Sequence, residues 1–121
     1  HAKYISPEKM DWNLYQKIIL EGEKYGCPSI VPQGTNEPFL DKNLENYIKF
    51  ASDHGFIDIM LNTNGTLLTE ERSKKFLKSG ITRVRFSLDA ATKETFEKLV
   101  CGLGKIILVK VHSFEKCFNA D

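Results

Sequence analysis

The chain has 121 residues, 41% hydrophobic and 27% charged, a balance that fits one globular domain around a single core and excludes a disordered or fibrous segment. Its 17 basic residues against 16 acidic ones leave a formal charge of +1, with no electrostatic footprint for a nucleic-acid backbone or an anionic membrane, so no nucleic-acid partner is expected. No apolar run approaches the roughly 20 residues that cross a bilayer, and no charged-then-apolar leader opens the chain, which predicts a cytoplasmic protein with no membrane contact.

In chain order, Ser6 as N-cap with Pro7 at the first helical position predicts a helix that carries Met10, Leu14 and Ile18 on one face and ends at Gly26. Trp12 and Tyr15 read as packing or surface residues rather than a stacking platform. A strand is predicted over Ser29 to Gln33. A second helix follows from about Asp41 to His54, with Leu44, Ile48 and Ala51 on one stripe and a stop at Gly55. Phe56 to Asn62 is the next strand. Thr69 caps a third helix, which has Glu70 and Glu71 at the positive end of its dipole, buries Phe76 with Leu77, and stops at Gly80. Ile81 to Leu88 is a third strand, Thr92 to about Val100 a fourth helix, and Ile106 to Val111 a further strand; beyond Cys101 no clear helix closes the unit. Helices alternating with short apolar strands predict right-handed βαβ crossovers, a parallel sheet and the α/β class.

In a parallel sheet covered on both faces, strands should be apolar throughout. Here Val84, Phe86 and Leu88 alternate with Arg83, Arg85 and Ser87, and Ile57, Ile59 and Leu61 alternate with Asp58, Met60 and Asn62. One face therefore either lines a ligand cavity or is a solvated face of an exposed sheet. The strand ends favour the cavity: Gln33 to Pro38, Asn62 to Gly65 and Ser87 to Asp89 are all polar or turn-forming, and α/β folds bind ligands at that end. Taken singly, each loop also reads as a plain turn or helix entry.

These loops resemble the radical S-adenosylmethionine (SAM) enzymes, whose core is a partial (β/α)6 barrel. Gly34-Thr35-Asn36-Glu37-Pro38 is similar to the family's GGEP-type motif, which meets the amino group of the cofactor's methionine moiety; Asn36 stands where that motif usually has glycine. Asn62-Thr63-Asn64-Gly65 resembles the turn at the barrel mouth, and Arg85-Phe86-Ser87-Leu88-Asp89 the following strand, whose serine reaches the ribose or carboxylate. The resemblance covers about residues 7–100 of a partial core domain spanning 1–121, with residues 101–121 unassigned. It implies SAM contacts at Gly34, Asn36, Glu37, Pro38, Asn62, Asn64, Ser87 and Asp89.

The family's CxxxCxxC loop, which holds a [4Fe–4S] cluster, does not occur; Cys27, Cys101 and Cys117 are widely spaced and read as free or buried thiols, and His1, His54 and His112 have no ligand spacing. His54 is expected to serve its helix C-terminus. Nor does the chain have the arginine that many members place before a glycine after the fourth helix, for it reads Val100-Cys101-Gly102. The resemblance thus implies a fragment whose first strand and cluster loop lie upstream of His1. Its parent would cleave SAM reductively to a 5′-deoxyadenosyl radical that abstracts a substrate hydrogen; the fragment alone, with no cluster ligands, should be inactive. The substrate is not legible. The alternative is a non-catalytic α/β module binding a nucleotide or protein through the same loops. A sheet lacking its first strand would leave an unpaired edge prone to self-association.

Overall fold

The computed structural model describes residues 9–87. The predicted fourth helix and last strand, Asp89, Cys101, Cys117, His1 and His112 lie outside them, as do Ser6 and Pro7. The described residues form three helices and three parallel strands, an α/β arrangement consistent with part of a (β/α) barrel.

Helix α1 (Trp12–Lys24) is capped by Asp11, whose Oδ1 accepts from the amides of Asn13 at 2.9 Å and Leu14 at 3.3 Å. The helix therefore begins after Met10, and the face predicted to be buried is not. Met10, Leu14 and Ile18 are 49%, 50% and 43% exposed, whereas Tyr15 and Ile19 are buried and Trp12 packs beside them. Two apolar faces compete on this helix, and the aromatic one has the larger area to bury and the better partner. Tyr15 and Trp12 stand edge-on to Tyr47 with ring centroids 4.7 and 5.0 Å apart, and the Tyr15 hydroxyl donates to the Tyr47 carbonyl at 2.8 Å. Gly22 lets the helix lie close to the sheet, because a Cβ there would come within 2.7 Å of the Phe56 ring.

Strand β1 (Ser29–Ile30) is shorter than predicted. The chain leaves it one residue before Pro32, which has no N–H to give to a ladder. It pairs in parallel with β2 (Asp58–Thr63), Ser29 opposite Asp58, and β2 pairs in parallel with β3 (Arg83–Phe86), Met60 opposite Arg83 and Thr63 opposite Phe86. The order is β1-β2-β3. Ile59, Leu61 and Thr63 face the core; Ile57 does not join them but is 76% exposed, because β2 starts one residue later and Phe56 fills the space instead.

Helix α2 (Leu44–Asp53) buries the predicted stripe of Leu44, Ile48 and Ala51. Helix α3 (Glu70–Leu77) is capped by Thr69, whose hydroxyl accepts from the Arg72 amide; it buries Phe76, with Leu77 partly buried beside the core. Gly26, Gly55 and Gly80 follow the three helices with φ of 68°, 84° and 96°, the left-handed conformation that ends a helix. One hydrophobic cluster joins all these elements on a single face of the sheet. Among the described residues no helix is long and apolar enough to cross a membrane.

Candidate functional site

The strands deliver their C-terminal ends to one rim, and Glu37 ties that rim together. The loop after β1 turns into a short 3-10 helix (Pro38–Leu40), with Glu37 at its N-cap. The Glu37 carboxylate accepts from the Thr63 hydroxyl at 2.6 Å and the Phe39 amide at 3.2 Å through Oε1, and from the Asn64 amide at 2.8 Å through Oε2. Three of roughly four lone-pair directions are thus taken by the protein itself. A second link runs from the Asn62 amide to the Gln33 side-chain oxygen, and the Ser87 amide donates to the Thr63 carbonyl at 2.8 Å. Glu37, Asn64 and Ser87, from three separate loops, therefore meet Asn62 of β2 at one end of the sheet.

The remaining predicted positions divide. Pro38 is buried, so its ring serves the core rather than the rim. Gly34 and Asn36 are exposed on the loop. A side chain at Gly34 would meet nothing within 4 Å and the backbone there does not need a positive φ, so nothing in this chain's own packing calls for glycine. Asn64 folds back on its turn, its Oδ1 accepting from the Thr66 amide and hydroxyl at 2.9 and 2.7 Å. Asn62 Oδ1 is buried and has no partner among the described residues. An unpaired buried acceptor is costly unless something else meets it.

Sequence reasoning did not single out Gln33, Thr63 or Arg72. The parity of β2 was the available signal for Thr63: it falls on the Ile59–Leu61 side, and a hydroxyl buried there needs a partner, which Glu37 supplies. Arg72, from α3, holds the other end of the Glu37–Pro38 segment. Its Nε donates to Glu45 Oε1 at 3.0 Å, its two terminal nitrogens donate to the carbonyls of Phe39 and Asp41, and the guanidinium lies 4.9 Å from the Phe39 ring.

The polar face of the sheet is open among the described residues. Arg83, Arg85 and Ser87 are exposed, while Asp58, Met60 and Asn62 are half-buried. Arg83 pairs with Asp58 through both of its forked nitrogens, Nε to Oδ1 at 2.8 Å. A shallow depression at the opposite end of the strands is lined by Glu23, Cys27, Pro28, His54 and Ile57 among others. There His54 C-caps α2 and its Nδ1 lies 2.9 Å from Glu23 Oε2; Cys27 is exposed. No set of three His, Cys, Asp or Glu among the described residues could hold a metal ion, so these residues do not fit an iron–sulfur cluster.

Comparison with known proteins adds to this geometry. The model of the radical SAM superfamily matches residues 2–120. A probable GTP 3′,8-cyclase of Methanococcus maripaludis is 34% identical over 110 residues, 91% of this chain and 34% of that protein. The GTP 3′,8-cyclase of Aliarcobacter butzleri is 42% identical over 64 residues, 52% of this chain and 20% of that protein. A tungsten-containing aldehyde ferredoxin oxidoreductase cofactor-modifying protein of Pyrococcus furiosus is 33% identical over 81 residues, 66% of this chain and 22% of that protein. The chain spans about a third of the length of the first of these curated relatives. No solved structure matches it.

Proposed function

The chain belongs to the radical SAM superfamily, and on that premise we propose that it supplies the SAM-binding rim of a radical SAM enzyme, with Gly34, Asn62, Asn64 and Ser87 facing the cofactor. The observation that carries the reading is the Glu37 bridge, which joins the loops after β1 and β2 at the end of the parallel sheet where the Ser87 amide also bonds the Thr63 carbonyl. Two details fit a bound nucleotide with an amino-acid tail. Gly34 leaves open space that any Cβ would begin to fill, so its carbonyl can be approached by an ammonium, and the buried Asn62 Oδ1 has no donor among the described residues.

Within this reading Glu37 acts mainly by holding the loops, since its oxygens already accept from Thr63, Asn64 and Phe39. The Ser87 hydroxyl, on the residue that follows β3, can donate and accept at once, as a ribose diol or a carboxylate requires. When bound with its cluster, the cofactor supplies hydrogen-abstraction chemistry to the intact protein. Among the described residues no set of His, Cys, Asp or Glu could ligate the cluster, so the reading is limited to the cofactor's nucleotide and methionine side.

The test is binding of S-adenosylhomocysteine to the full chain, followed by backbone amide shifts. Shifts are expected at Gly34, Asn64 and Ser87, and Gly34→Leu should weaken binding about tenfold or more while leaving the thermal midpoint unchanged, because its side chain enters open space. Shifts clustered at Cys27 and His54 instead, or none at millimolar ligand, would overturn the reading.

A further inference from the structure

We propose that Arg85, with Asn62 beside it, anchors an oxyanion on the open face of the sheet, a carboxylate or phosphate whose neighbouring atom carries an N–H or O–H. The proposal rests on the ligand-binding reading of this end of the sheet.

Strand alternation puts Arg83, Arg85 and Ser87 on one face, beside Asp58, Met60 and Asn62 of β2. Two guanidinium groups two residues apart on one strand face repel each other unless each finds an anion. Arg83 has one: Asp58 takes it bidentately. Arg85 has no acceptor among the described residues, and its in-register neighbour on β2 is the neutral Asn62. The acidic side chain of the rim, Glu37, is already turned toward Thr63, Asn64 and Phe39.

Among the described residues the face is therefore neutralised toward the start of the strands and carries one uncompensated positive charge toward their ends. In register with Arg85 is Asn62, whose buried Oδ1 has no donor among the described residues. A fork of donors beside an orphaned acceptor is complementary to an oxyanion with a hydroxyl or ammonium adjacent to it, as in an amino acid, a hydroxy acid or a phosphate monoester. Two molecules could bring that group, the methionine end of the cofactor or the substrate.

Calorimetric titration of the full chain separates these sources. The probes are inorganic phosphate, tripolyphosphate, SAM and decarboxylated SAM, each against the wild type, R85Q, R85K and R83Q. R85Q should weaken at least one anionic probe about tenfold or more, R85K should recover part of the loss, and R83Q should stay within about twofold. A loss for SAM that disappears with decarboxylated SAM assigns the anion to the cofactor; a loss confined to the phosphates assigns it to the substrate. The proposal is overturned if every probe binds R85Q within about twofold of wild type, or if R83Q loses as much as R85Q, which would mark a diffuse charge effect. Arg85 is exposed, so R85Q should keep the wild-type far-ultraviolet dichroism and thermal midpoint. Should wild type bind no SAM, the cofactor reading fails by itself and the phosphate arms still decide the role of Arg85.

Discussion

At the scale of single residues, Glu37 and Tyr15 show how polar atoms are held inside this fold. Glu37→Gln keeps the size of the side chain but puts an NH2 group in place of one carboxylate oxygen, so that either the Asn64 amide or the pair of the Thr63 hydroxyl and the Phe39 amide loses its acceptor. A loss of about 1–3 kcal/mol in urea unfolding is expected, more than for an exposed glutamate such as Glu71. Burial pushes the Tyr15 hydroxyl well above the ordinary tyrosine range, reinforced by the neighbouring Tyr47. Because the folded chain resists ionising a group that ionises near pH 10 when unfolded, this contribution is complete below that pH and falls as pH rises beyond it. Tyr15→Phe should therefore cost about 1 kcal/mol at neutral pH through loss of the bond to the Tyr47 carbonyl, and make the alkaline decline in stability shallower. Denaturant midpoints measured from pH 7 to pH 11 check both.

At the scale of elements, legibility in the sequence depended on whether one apolar face was available or two. Helix α2 offers a single stripe, Leu44–Ile48–Ala51, and α3 a cap, an acidic first turn and a glycine stop; both bury the faces read from the sequence, although α2 starts at Leu44 rather than near Asp41. Helix α1 offers Met10–Leu14–Ile18 and Trp12–Tyr15–Ile19, which period alone cannot rank; the aromatic partners on α2 decide it. The loop motifs were legible as glycine and turn residues, but the Glu37–Thr63 and Arg72–Phe39 links were not, because each joins residues about a quarter of the chain apart. Arg72 is the more demanding of these to replace. Three of its nitrogens find acceptors in different elements, a geometry that lysine's point charge cannot reproduce. Arg72→Ala and Arg72→Lys should each destabilise the chain by about 2–4 kcal/mol, with faster amide exchange over residues 38–41 as the accompanying sign.

Over the whole molecule, the three-stranded sheet is covered on one face and has β1 and β3 as edges among the described residues. The exposed Leu14 and Ile18 of α1, with Met10 just before it, add apolar surface. Both features favour association of copies. L14E with I18E should shift sedimentation velocity profiles toward monomer at high protein concentration, with the fold unchanged because both side chains are already exposed to water; a wild-type chain monomeric throughout would dispose of the idea.

The clasp that Arg72 closes on the carbonyls of Phe39 and Asp41 spans 33 and 31 residues. While the protein is being synthesised, then, the turn after β1 emerges well before the side chain that fixes it. Its final shape has to wait for α3, so this part of the rim matures late, and translation paused short of Arg72 would leave the Glu37–Leu40 turn held by the Glu37 carboxylate alone.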